Sequence, residues 1–131
     1  MHEARMHFSI AVIDDRLYVC GGIGRASLLR FDPEVGVWEL LQPMLEARAS
    51  GSVAVLHGQL GGNDSPLKSV ERFDPAHNTW ERLTSTSHAR TRGSAVEIDG
   101  RPFVCGGRGT DGEGHNSAES RRVGVGSSCV K

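Results

Sequence analysis

The sequence predicts an all-β chain of tandem four-stranded units, and three observations carry that prediction. It repeats itself: Phe31-Asp32-Pro33 with Trp38 returns 42 positions later as Phe73-Asp74-Pro75 with Trp80. Arg5, Arg48 and Arg90 recur at shifts of 43 and 42, each followed by a Gly-Gly pair, at Gly21-Gly22, Gly61-Gly62 and Gly106-Gly107. A period of this size makes each repeat one supersecondary unit that cannot bury its apolar face alone, so neighbours must stack. No segment shows a convincing 3.6-residue apolar period, whereas short apolar runs bounded by turn signals recur. Finally, 17 glycines in 131 residues are about twice the usual share of ~7%, which suits tight turns and works against long helices.

The elements follow in order. His7 to Ile13 is a short apolar run that ends at the turn signal Asp14-Asp15. Leu17 to Cys20 runs into Gly21-Gly22, and a polar loop (Ile23 to Ser27) leads to Leu28 to Phe31. Asp32-Pro33 makes the next corner, because proline fixes φ and gives no ladder donor while the aspartate bonds the turn backbone. Val37 to Leu41 then alternates, with Val37 and Glu39 on one face and Trp38 and Leu40 on the other. The second unit repeats this order at Gly51 to Leu56, Leu60 to Gly62, Val70 to Phe73 and Thr79 to Leu83. Arg48 to Gly61 spans 13 positions where the other two copies span 16, so the second strand of this unit is expected to be a stub. A third copy starts at Gly93 to Ile98, turns at Asp99-Gly100 and continues from Pro102 to Gly107.

These residues resemble the kelch family, whose repeat carries an arginine, a Gly-Gly after a strand, a Tyr/Phe-Asp-Pro and a tryptophan in this order. The resemblance covers about Met1 to Gly107. It implies four-stranded antiparallel blades arranged radially as a β-propeller, with strand one innermost and strand four outermost. The units are then 1–44 (blade one), 45–88 (blade two, second strand shortened), 89–107 (part of blade three) and a tail from 108 to 131. As repeat-structural residues it implies Arg5, Arg48 and Arg90 bonding backbone carbonyls between blades, Trp38 and Trp80 wedged between neighbours, and the Gly-Gly pairs permitting close packing.

A propeller closes with roughly four to eight blades, so about two and a half leave a partial arc whose exposed flanks favour self-association. Met1-His2-Glu3-Ala4-Arg5 aligns with Met44-Leu45-Glu46-Ala47-Arg48, a loop between blades, and the chain is therefore expected to be a fragment of a longer kelch protein. Residues 108–131 hold only Val123, Val125 and Val130 as branched apolar residues, and such a composition is expected to stay disordered. An altered reading frame or splice would produce a tail of this kind.

Composition limits function. The formal charge of -1, with signs interspersed, gives no basic face for nucleic acid and no polybasic run for anionic lipid. No apolar stretch approaches the ~18 residues of a membrane span, Met1 to Cys20 lacks the order of a secretory signal, and a soluble cytoplasmic protein is expected. Cys20 and Cys105 stand at equivalent repeat positions with Cys129 alone, and no C-x-x-C spacing supports zinc or a disulfide framework. Six scattered histidines show no metal-ligand spacing, so no metal or cofactor is expected. Gly107-x-Gly109-x-x-Gly112 matches a dinucleotide fingerprint, but Glu113 to Arg122 has no apolar helical face to supply the helix it needs. The resemblance extends to copper oxidases of the galactose oxidase type, whose site needs two tyrosines where Tyr18 is the only one here. The expectation is a non-enzymatic protein-interaction module.

Binding is expected on the loops between strands two and three, which a rigid scaffold presents: Ile23 to Ser27, Asn63 and Asp64 through Lys68, and Arg108 onward. The resemblance adds the position two after each repeat arginine: His7, Ser50 and Arg92. Arg25, Arg92 and Arg108 are the candidates for an acidic peptide or degron, since guanidinium binds carboxylate through paired charge-assisted bonds; solvated loop arginines are the competing reading. The resemblance implies the substrate-recognition region of BTB-kelch adaptors for cullin-RING ubiquitin ligases, whose ligase-recruiting BTB and BACK regions do not occur in this sequence. A cytoskeletal kelch protein binding actin and a non-functional shortened product are the alternatives.

Overall fold

A computed structural model of the chain describes residues 4–56, 59–63, 68–99 and 101–120. These residues form eleven strands, with no helix among them. Blade one is a sheet of β1 (Ser9–Ile13), β2 (Arg16–Cys20), β3 (Leu28–Asp32) and β4 (Val37–Leu41), antiparallel and in chain order. Blade two repeats it with β5 (Ser52–Leu56), β6 (Gln59–Asn63), β7 (Val70–Asp74) and β8 (Thr79–Leu83). Blade three contains β9 (Ser94–Ile98), β10 (Arg101–Cys105) and β11 (Ala118–Ser120). Successive blades meet through their first strands, β1 against β5 and β5 against β9, as a radial arrangement requires. This is a partial β-propeller.

The Asp-Pro corners work as their chemistry suggests. Asp32 Oδ1 accepts from the Glu34 backbone N–H at 3.0 Å, and Asp74 Oδ1 accepts from Ala76 at 2.9 Å. Each strand pair then closes in register, with Phe31 opposite Trp38 and Phe73 opposite Trp80. Cross-strand ion pairs recur with them, Arg30 with Glu39 and Arg72 with Glu81.

Register assigns each blade two faces. The back face of blade one carries Ile13, Tyr18, Cys20, Leu28 and Leu41, all buried. It packs on the front face of blade two, where Val53, Val55, Phe73 and Trp80 stand, with Met44 closing the cluster. Tyr18 and Phe73 rings meet across this junction at 6.3 Å. Trp80 packs against this cluster, and its Nε1 donates to the Gln42 carbonyl of blade one at 2.8 Å. Trp38 occupies the same place on the front face of blade one, where Ile10, Val12 and Leu40 lie 57%, 60% and 69% exposed.

Two expectations change. The second strand of blade two is no stub: β6 has five residues, pairing with β5 and β7. Gly61 and Gly62 lie inside it, opposite Ala54 and Val53, the places Tyr18 and Val19 fill opposite Ala11 and Ile10 in blade one. They are thus replacements of core residues rather than counterparts of Gly21-Gly22 and Gly106-Gly107, and Asn63 ends the strand instead of opening a loop. Anchoring the repeat on the glycine pair puts the missing positions inside the strand, whereas strand pairing aligns Gly61 and Gly62 with Tyr18 and Val19.

Blade three also runs past residue 107. β11 pairs with β10 through Cys105 opposite Ala118 and Phe103 opposite Ser120. The polar composition gave no sign of it because Arg90, not apolar burial, holds this strand. Residues 121–131, including Cys129, and position 64 lie outside the described residues.

Candidate functional site

The repeat arginines anchor the loops. Arg5 Nη1 donates to the Gly21 and Ser27 carbonyls at 3.0 and 3.4 Å. Arg48 donates to the Ser69 carbonyl at 3.0 Å, the Ser69 hydroxyl at 2.9 Å and Glu71 Oε1 at 2.5 Å. Arg90 donates to the Gly106 and Ser117 carbonyls at 2.9 and 3.1 Å, the Ser117 hydroxyl at 2.7 Å and Glu119 Oε1 at 2.8 Å. Ser27, Ser69 and Ser117 hold one repeat position, immediately before the third strand, so each arginine clamps a third strand to the loop entering the first. Arg48 also spans two blades: its N–H donates to the Arg25 carbonyl at 3.0 Å and its carbonyl accepts from Gly22 at 2.8 Å.

Sequence reasoning missed the acids in this clamp. Glu71 and Glu119 occupy equivalent third-strand positions, marked in the sequence by Ser69-Val70-Glu71 and Ser117-Ala118-Glu119, while blade one has Ser27-Leu28-Leu29. Burial pushes the Glu119 carboxyl up, but the Ser87 backbone N–H and the Arg90 guanidinium outweigh it and hold the group at about 2. The Ser69 hydroxyl and then Arg82 lower Glu46 beside the second clamp.

Where the glycine pairs follow the strand, the backbone of a neighbouring loop comes close to them. At Gly21 (φ 70°) a Cβ would stand 2.3 Å from the Arg48 carbonyl oxygen, and at Gly107 (φ 86°) 2.6 Å from that of Thr91. Gly22 and Gly106 also take positive φ, 116° and 64°.

Above this frame, the positions two after each arginine form a connected row. His7, Ser50 and Arg92 all take left-handed backbone conformations, at φ 58°, 59° and 56°, uncommon for residues with a Cβ. The Ser50 N–H donates to the His7 carbonyl at 2.8 Å, and the Arg92 N–H donates to the Ser50 carbonyl at 3.2 Å. His7 Nδ1 and Ser50 Oγ are 2.9 Å apart. The row thus crosses all three blades. Arg108 joins its end, since Thr91 and Arg108 exchange backbone hydrogen bonds at 2.9 and 2.8 Å. Arg25 joins its middle through Arg48. Arg92 and Arg108 are exposed. The structure therefore brings His7, Arg25, Ser50, Arg92 and Arg108 to one rim, and it leaves Asn63 in a strand.

Other chemistry is sparse. Among the described residues no group of three or more His, Cys, Asp or Glu side chains could hold a metal ion. The His88 and His115 rings meet at 5.6 Å with a tilt of 55°, and His88 Nδ1 lies 3.5 Å from Glu119. Cys20 and Cys105 are free thiols, and burial pushes Cys20 up to about 11. Residues 108–115 fold back on themselves, with Gly109 bonded to Glu113 and His115 to Gly107, rather than opening a helix. No helix of the described residues is long and apolar enough to cross a membrane.

A search of curated proteins finds no significant match. Among solved structures, one titled "Structure of YjhT" superposes with a TM-score of 0.74 at 17% identity, over 85% of this chain and 36% of that one. At that identity the likeness shows the fold, and the chain spans about a third of the neighbour's length. The family profile described as "Kelch motif" matches twice in tandem, over residues 4–45 and 47–87. With well over half its length matched in this way, the chain belongs to the kelch-repeat family.

Proposed function

We propose that the chain is a non-enzymatic protein-interaction module that takes an acidic segment of a partner protein on the rim of Arg25, Arg92 and Arg108. The observation that carries this reading is the hydrogen-bonded row His7–Ser50–Arg92 with Arg108 bridged to its end. It fixes the backbone beneath two exposed guanidinium groups, so little main-chain ordering remains to oppose binding. Guanidinium then offers paired donors to carboxylates. The test is fluorescence anisotropy with an acidic peptide and a scrambled neutral control. An Arg92→Ala, Arg108→Ala double variant should weaken acidic-peptide binding about tenfold or more at an unchanged melting temperature, and added salt should weaken it further. Equal affinity in wild type and variant, or equal binding of the neutral control, would remove the reading.

The cellular setting proposed is that of substrate recognition for a cullin-RING ubiquitin ligase, in the cytoplasm, where free Cys20 and Cys105 stay reduced. Co-precipitation from cells should recover cullin and ubiquitin conjugates. Recovery of actin in their place would transfer the proposal to the cytoskeletal class.

A further inference from the structure

We propose that the arc completes itself with further copies of this chain, the back face of blade three in one copy packing on the front face of blade one in the next. The junction between blades one and two supplies the template. There Ile13, on the back face, is 4% exposed and Phe73, on the front face, is 0% exposed. The equivalent residues at the ends of the arc are of the same kind but unmated. Ile98 corresponds to Ile13 and is 51% exposed, and Val96 beside it is 50% exposed. Phe103 corresponds to Tyr18, each opposite the third residue of its first strand, and Phe31 corresponds to Phe73, each opposite the blade's tryptophan. In the contact between copies Phe103 therefore meets Phe31 of the neighbouring copy, as Tyr18 meets Phe73 within the chain.

The two end faces differ from each other, so the contact is head-to-tail, and a head-to-tail contact closes only when its rotation divides the circle. Blade packing already imposes a constant turn per unit, which closes propellers at roughly four to eight blades. With three blades in each copy, two copies fall inside that range and three exceed it, so the arc closes as a ring of two copies. This inference is independent of what the loop rim binds.

The test is the oligomeric state of the full 131-residue chain by light scattering at rising concentration. Wild type should form a closed dimer. Leu40→Glu, on the front face, and Ile98→Glu, on the back face, should each be monomeric, with dissociation constants raised roughly a hundredfold. Mixed in equal amounts, the two should form a pair that stops at two copies, because one junction between them retains both native faces. A wild type that stays monomeric or grows into open polymers overturns the proposal. So does an Ile98→Glu variant that still dimerises, since that would mean front-to-front contact. Ile10→Thr and Val96→Thr make the same comparison with strand-favouring residues, and far-UV circular dichroism verifies that each variant keeps its sheets.

Discussion

Blades one and two carry the same Phe–Trp pair on the same strands in the same register, with ring centroids 4.9 and 5.1 Å apart. Phe73 is nevertheless fully buried while Phe31 is only half-buried. The blade itself fixes the pair's geometry; the neighbour fixes its burial. A kelch repeat is thus a finished sheet but half a core, and its stability depends on what stands on its front face. The same two blades also differ in how the repeat arginine is satisfied. In blade two a buried carboxylate, Glu71, faces Arg48, whereas in blade one Leu29 stands at that position and Arg5 donates to carbonyls.

The largest expected effect tests burial. Phe73→Ala should cost about 3–5 kcal/mol of unfolding free energy, and Phe31→Ala less than about 1.5 kcal/mol. Urea denaturation on a Leu40→Glu background, which keeps the front face of blade one in solvent, measures both. Equal losses would break the comparison. Next comes the clamp. Glu71→Leu gives blade two the residue type of blade one, but it leaves Arg48, 7% exposed, with the half-buried Glu46 at 3.5 Å as its remaining counter-charge, and it takes the acceptor from the Leu45 N–H. A loss of about 2–3 kcal/mol is expected, because removing the closer, fully buried partner leaves a buried charge poorly compensated. Leu29→Glu in blade one should change stability by less than about 1 kcal/mol, since Leu29 is only half-buried.

Blade three tests the clamp by pH. Glu119 titrates at about 2 in the folded chain against an ordinary 4.5, so its contribution is fully present above about 4.5 and is lost as pH falls toward 2. Between those limits stability should fall by about 1–3 kcal/mol, in proportion to the shift. Glu119→Gln should flatten that part of the acid limb in urea titrations at stepped pH. An unchanged slope would mean that the carboxylate does not hold β11.

The all-β class and the Asp-Pro corners were legible because each rests on local chemistry repeated at one period. The rim was legible by position, as His7, Ser50 and Arg92 sit two after each arginine, but their hydrogen-bonded row links residues 43 and 42 positions apart and appears only once blades stack. Glu71 and Glu119 are hard to read although a Ser-x-Glu signal spans the start of both strands, because a charged residue in a strand ordinarily reads as a solvent-facing one. β11 is hard to read for the same reason. Its support is a set of hydrogen bonds from Arg90, 1% exposed, and apolar content carries no record of such bonds.

The smallest effect separates two glycine pairs that look identical in sequence. Gly21 has φ 70° and no room for a methyl group, so Gly21→Ala should cost about 2 kcal/mol or more. Gly61 lies in the interior of β6, paired with Ala54 on one side and Arg72 on the other. Glycine weakens a strand interior through the freedom it has in the unfolded chain, so Gly61→Ala should be neutral or gain up to about 1 kcal/mol. Thermal melts of the two variants decide the alignment of blade two. If Gly61→Ala instead destabilises as much as Gly21→Ala, the pair is a true turn glycine, and the three-position deficit returns to the strand. If it is tolerated, blade two has kept its ladder and given up two core side chains, and Val53, Val55, Phe73 and Trp80 supply the apolar packing of its front face.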